Sequence, residues 1–169
     1  MCIRDSLNIV PDIYTEGIAV SVKDRQALAA ALKEETGGLV ELESRIVEGG
    51  SESIECFYDS ALAAPYILKL AQQGEKDGFD AIVLDCFLDP ALSECRELVR
   101  IPVMGACQSS CSLAARMAGR FSVIGILDNA DRCIRENIRC YFGRRNTNNR
   151  KSGCSYFRNF FERRDVCRS

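Results

Sequence analysis

Short apolar runs alternate with longer segments of helical period along this chain, and no other feature restricts its fold as much. Runs at about Leu7–Val10, Leu39–Val47, Ala81–Leu84, Pro102–Gly105 and Phe121–Leu127 read as strands. Parallel strands cannot be joined by a tight turn and need a crossover of about a dozen or more residues, which the helical segments supply. The expected fold class is therefore α/β, a parallel sheet flanked by helices. A length of 169 residues is enough for one sizeable core.

Local signals mark the helix boundaries. Asp24–Thr36 places Ala27, Leu28, Ala31 and Leu32 on one face and stops at Gly37-Gly38. A second helix spans about Ser53–Asp77 and ends at Gly78, with Pro65 expected to kink or restart it because proline lacks the helical donor. Asp89-Pro90 reads as the N-cap and first residue of a helix reaching about Val99. Ser109 or Ser110 is expected to cap the next helix, which Gly119 stops, and an amphipathic helix follows over Asn129–Tyr141.

The absence of histidine excludes Ser-His and Cys-His nucleophilic pairs and the H-E-x-x-H zinc site. Acid/base work near neutral pH falls to cysteine, a shifted carboxylate or lysine. The ten cysteines lie mostly inside expected helices and strands, a pattern of reduced thiols and not of a secreted disulfide framework. No apolar run approaches a membrane span, and Met1–Ser6 lacks the apolar core of a secretory signal, so a cytoplasmic location is expected. Through Cys140 the chain carries 14 basic and 22 acidic residues, and after it 8 and 2. Residues 142–169 accordingly read as an atypical basic tail, disordered or translated out of frame, and residues 1–6 as a leader foreign to the fold. A solvated tail accounts for the arginines more simply than a nucleic-acid contact, and nucleic acid is not expected as a partner.

One place concentrates chemistry. Asp85-Cys86-Phe87-Leu88-Asp89-Pro90 directly follows the strand Ala81–Leu84, setting Cys86 at the carboxyl edge of the sheet, where open parallel sheets bind ligands. A helix N-terminus close by would lower the thiol pKa toward neutrality and make Cys86 partly thiolate. Asp85 would raise it from the same pocket, but strand alternation points Asp85 elsewhere. The plainer reading of Cys86 is a small buried hydrophobe. The turn Gly105-Ala106-Cys107-Gln108-Ser109-Ser110 offers backbone N–H groups to an anion or an enolate-like oxygen, or simply caps its helix. Cys107 and Cys111, four apart and without histidine, are a weak metal pair, and no metal is expected. Gly37-Gly38 and Gly49-Gly50 match no nucleotide-binding loop, no lysine stands at the sheet edge for pyridoxal phosphate, and no cofactor is expected.

Asp85–Leu92 resembles the Cys-Phe-x-Asp-Pro-x-Leu segment around the first catalytic cysteine of hydantoin racemases. Gly50–Glu55 with Tyr58–Leu62 resembles their loop and helix start after the second strand. Ile101–Gly105 resembles their fourth strand, and Phe121–Ile124 with Leu127-Asp128 the strand that opens their second domain. These segments keep the family's order and spacing, and the chain is similar to the hydantoin and aspartate/glutamate racemases over about Leu7–Tyr141. The resemblance implies a two-lobed, pseudo-symmetric racemase fold, with residues 7–120 forming the first lobe and 121–141 opening the second. It implies a cofactor-independent racemase or epimerase of a small molecule, a hydantoin or an amino acid. Two thiols on opposite faces of the substrate carbon then remove and deliver a proton, and Cys86 is one of them. Together with the loop readings above, the expected substrate-contacting set is Pro11, Asp12, Ser53, Phe87, Gly105, Gln108 and Ser109.

The family's second cysteine ends a strand of the second lobe in a Gly-Cys-Ala context, and no such segment occurs here. Cys133 and Cys140 fall on the last helix and Cys154 and Cys167 in the tail, so the second thiol is expected to be missing and the chain inactive in racemisation. Leu88 stands where the family carries a small residue, and Cys107-Gln108 where it commonly carries a small residue and an acid. Two other readings stay open: a non-catalytic α/β ligand-binding domain with Cys86 kept for packing, and a one-cysteine decarboxylase or isomerase of the same superfamily. An exposed edge of a truncated sheet favours self-association, which leaves a homo-oligomer open.

Overall fold

The apolar runs become β1 (Asp5–Val10), β2 (Glu41–Ile46), β3 (Ala81–Leu84) and β4 (Val103–Gly105), which pair in parallel in the order β2-β1-β3-β4. The computed structural model describes residues 5–13, 16–118, 121–125 and 128–142. Ser6 pairs with Leu42 on one side and Ala81 on the other, and Ile9 with Arg45 and Leu84. From β1 the chain steps outward to β2, then crosses back to β3 on the opposite side of β1. The strand order therefore reverses between β1 and β3, and the crevice beyond their carboxyl ends is the topological switch point of the sheet.

Helices α1 (Glu16–Glu35), α2 (Phe57–Asp77), α3 (Leu92–Leu98), α4 (Ala106–Met117) and α5 (Asp128–Phe142) supply the crossovers and the cover. One sheet face holds the core. Leu7, Ile9, Ile82, Leu84 and Val103 pack with Ala63, Ile67 and Ala71 of α2, Cys95 of α3 and Cys107 and Cys111 of α4. The α2 residues recur every four positions, the spacing that aligns side chains along one helix face. A Cβ on Gly74 would lie 2.5 Å from the Cδ2 of Leu7, so glycine there lets α2 cross close over β1. α5 adds Cys133, Ile134 and Ile138 to the same core.

The other sheet face mixes Val10, Leu42 and Val83 with a polar patch at Asn8 and Ser44. Buried Asn8 donates from Nδ2 to Ser44 Oγ and to Asp85 Oδ2, both at 3.1 Å, and so ties β1 to β2 and to the residue that follows β3. This polar patch overturns the expected face of α1. Ala27, Leu28 and Ala31 are exposed, while Arg25, Ala29 and Leu32 turn inward, because a sheet face carrying Asn8 and Asp85 favours a guanidinium over leucine.

Other expectations need correction. Pro65 neither breaks nor restarts α2, since it sits on the exposed face, where a missing donor costs least. α2 also starts at Phe57 instead of Ser53, because Cys56 is its N-cap and its N–H donates to Asp59 Oδ2 at 3.1 Å. Phe121–Gly125 joins no sheet despite its apolar run. Among the described residues no helix is long and apolar enough to cross a membrane. Met1–Arg4, Tyr14, Thr15, the Gly119 stop, Leu127 and residues 143–169 with Cys154 and Cys167 lie outside the described residues.

Candidate active site

β3 delivers Cys86 to the switch point. Asp85 N–H donates to the Ile9 carbonyl at 2.9 Å, extending the β1–β3 pairing to the last residue before the thiol. Cys86 then opens a turn that Asp89 closes, its N–H donating to the Cys86 carbonyl at 3.0 Å. Asp89 (φ 48°) and Ala91 (φ 56°) both adopt left-handed conformations, which aspartate tolerates better than most residues. The resulting bend delays α3 to Leu92, so Asp89-Pro90 does not begin that helix as expected.

The Asp89 carboxylate caps a different helix. Oδ1 accepts the N–H of Cys107 at 2.9 Å and Oδ2 that of Gln108 at 2.9 Å, satisfying the first turn of α4 from outside its own segment. A Cβ on Gly105 would lie 2.6 Å from the Asp89 carboxyl carbon, so this close approach requires glycine. Ser109 and Ser110 lie within α4, exposed, and do not cap it. The N–H groups of Cys107 and Gln108, expected to receive a substrate oxygen, are already held by a carboxylate.

Strand alternation sends Asp85 to the Asn8 face, as expected, where it pairs with Arg25. Asp12, two residues beyond β1, reaches the crevice from the other side. Its Oδ1 is buried without a hydrogen-bond partner among the described residues. Burial raises its pKa against the opposing pull of the Ile54 N–H and of Arg25. These surroundings reverse the expectation for Cys86. Its thiol is pushed up to about 12, first by burial and then by the charges of Asp12, Asp89 and Asp85, with only the Leu88 N–H opposing. α3 gives no counterweight, being seven residues long and beginning six positions beyond the thiol. At rest Cys86 is a protonated thiol.

The other expected contacts divide. The N–H of Ile13 donates to the Ser51 carbonyl at 3.1 Å, which holds the loop carrying exposed Ser53 beside Asp12. Phe87 is half-buried and lines a cavity of about 300 Å³ with Cys111, Phe121 and Val123. Pro11 is fully buried. Gln108 turns its side chain to Arg96, whose Nη2 donates to Oε1 at 2.7 Å, and Ser109 faces solvent. The sequence reading missed Arg25, Asn137 and Tyr141. Asn137 Nδ2 donates to the Leu88 carbonyl at 2.6 Å and the Tyr141 hydroxyl to Asp89 Oδ2 at 2.8 Å, so α5 clasps the Cys86 turn. Their positions three and seven residues from buried Ile134 were the one available signal, since that spacing puts them on the packed face.

A thiol at a strand end thus stands beside a second carboxylate-bearing loop at the switch point. The family model for Asp/Glu/hydantoin racemases matches residues 19–154. The chain belongs to the Asp/Glu/hydantoin racemase family. This racemase-family chain is 37% identical over 92 residues to the hydantoin racemase of Pseudomonas sp. (strain NS671), covering 54% of the chain and 37% of that relative. It is 39% identical over 89 residues to the hydantoin racemase of Rhizobium meliloti, covering 53% and 37%. The solved allantoin racemase from Klebsiella pneumoniae superposes with a TM-score of 0.71 at 26% identity, over 82% of the chain and 54% of that protein. The Pseudomonas fluorescens allantoin racemase, at 18% identity and a TM-score of 0.59, shares the fold. The chain thus spans little more than half the length of the solved relatives and 37% of the two hydantoin racemases.

Proposed function

We propose that the chain is the first half of a cofactor-independent racemase acting on a neutral ureide of the hydantoin or allantoin kind. Cys86 is one of its two proton-transfer thiols, and the second is absent from these 169 residues. The observation that carries this reading is the charge around Cys86. Asp12, Asp85 and Asp89 all act on the thiol, and the Cys107 and Gln108 N–H groups of α4 are taken by Asp89. A substrate carboxylate about 5 Å from one such charge costs on the order of 3 kcal/mol at an effective dielectric of 20. A ureide ring carries no such charge.

The reacting carbon points the same way. Taking the α-proton from a carboxylate builds a dianion, whereas an amide-type carbonyl yields a monoanion, which a negatively charged site tolerates better. The names of the relatives, hydantoin and allantoin racemases, support that substrate class over aspartate or glutamate. A protonated Cys86 is the delivering acid of the pair, and it becomes the base for the opposite enantiomer. The raised thiol also favours one competing reading, a non-catalytic ligand-binding domain in which Cys86 only packs.

Titration followed by backbone amide chemical shifts tests the substrate class. A 5-substituted hydantoin or allantoin is expected to shift the amides of Asp12, Cys86 and Phe87, and L-aspartate at equal concentration to leave them in place. Equal or larger shifts with aspartate overturn the assignment.

A further inference from the structure

We propose that Tyr141 is a positioning residue for Cys86, acting through the Asp89 carboxylate. Asp89 is buried and holds three donors at once: the N–H groups of Cys107 and Gln108 from α4 and the hydroxyl of Tyr141 from α5. Gly105 leaves the carboxyl group no slack toward β4, and the Asp89 backbone closes the turn that begins at Cys86. A charge is therefore fixed beneath the thiol by two helices, and α5 ties the same turn a second time through Asn137 and the Leu88 carbonyl.

The Tyr141 hydroxyl is more than a clamp. Burial and the Asp89 charge both raise its pKa, so it stays protonated and donates. A donated hydrogen bond spreads the carboxylate charge and weakens its repulsion of a thiolate at Cys86. Removing the hydroxyl leaves that charge less compensated and makes the thiolate harder to form. Removing the charge makes it easier. If Tyr141 merely holds α5 down, either change loosens the turn, opens Cys86 to water and makes the thiolate easier in both cases.

The inference rests on reading Cys86 as the acid/base thiol, but its test needs no turnover, so failure of the racemase assignment and failure of this one are separate results. The rate of iodoacetamide labelling of Cys86 is measured from pH 8 to 11 in the whole chain, Tyr141→Phe and Asp89→Asn, with peptides resolved by mass spectrometry. Buried Cys133 on α5 reports whether that helix stays docked. Tyr141→Phe is expected to slow Cys86 labelling by about two- to threefold, and Asp89→Asn to speed it by up to about tenfold, the thiolate gain for one pKa unit. Cys133 stays protected in Tyr141→Phe. Faster labelling in both variants, no change in Tyr141→Phe, or release of Cys133 in it overturns the proposal. Should Asp89→Asn fail to fold, the sign of the Tyr141→Phe change decides.

Discussion

At the level of single residues, the place of Cys86 was legible and its charge state was not. A cysteine directly after an apolar run is bound to reach the carboxyl edge of a parallel sheet, and Asp85 was bound to point away from it. The thiol pKa depends on groups that sequence order keeps apart. Asp12 arrives from the loop after β1, and the N–H groups that a dissociating Cys86 would have needed nearby are spent on Asp89. A rise from 9.0 to about 12 removes about a thousandfold of the thiolate at pH 8, and the greater nucleophilicity of a more basic thiolate restores only part of it. Iodoacetamide at pH 8 should therefore modify exposed Cys140 at least about tenfold faster than Cys86, with the gap closing as pH approaches 12. Comparable rates at pH 8 would contradict the raised thiol.

Among the elements, several whose signals are local matched their expectation. β3 occupies the expected Ala81–Leu84, α2 ends at Asp77 before Gly78, and α5 spans Asp128–Phe142 with its buried residues at helical spacing. Several misreadings came where the deciding partner lies far along the chain. Asp89 has the composition of an N-cap for the helix that follows it, yet it caps α4, whose first turn is 18 residues away. The apolar periodicity of α1 points to one face, whereas the Asp85 carboxylate just beyond β3 draws Arg25 inward. Phe121–Gly125 has the composition of a strand but is not among the four strands of the described sheet. The long-range cap makes Gly105 a structural requirement, because an added methyl meets the Asp89 carboxyl group. Gly105→Ala should cost about 1–2 kcal/mol, the usual loss of an N-cap. Thermal unfolding followed by circular dichroism should then show a midpoint lower by roughly 2–8 °C. An unchanged midpoint would mean that the carboxylate is not held where the fold places it.

At the scale of the whole molecule, the family was legible because several modest motifs kept one order and spacing, and the match over residues 19–154 bears this out. Substrate recognition was less so, since the crevice is built from the ends of β1 and β3, the loop before α2 and the inner face of α5, and the sequence does not reveal which of their side chains spend their polar groups on one another. The chain spans little more than half of the solved relatives, and under the proposed reading Cys86 is the one proton-transfer thiol it offers. A single thiol returns a proton to the face from which it came, so half of a two-thiol site should exchange without inverting. The decisive measurement is proton exchange at C5 of each enantiomer of a 5-substituted hydantoin in D2O, followed together with optical rotation. The account predicts deuterium uptake above the spontaneous rate in one enantiomer, with configuration retained, and its loss in Cys86→Ala. Exchange that survives Cys86→Ala, inversion catalysed by the 169-residue chain, or no exchange of either enantiomer would contradict it.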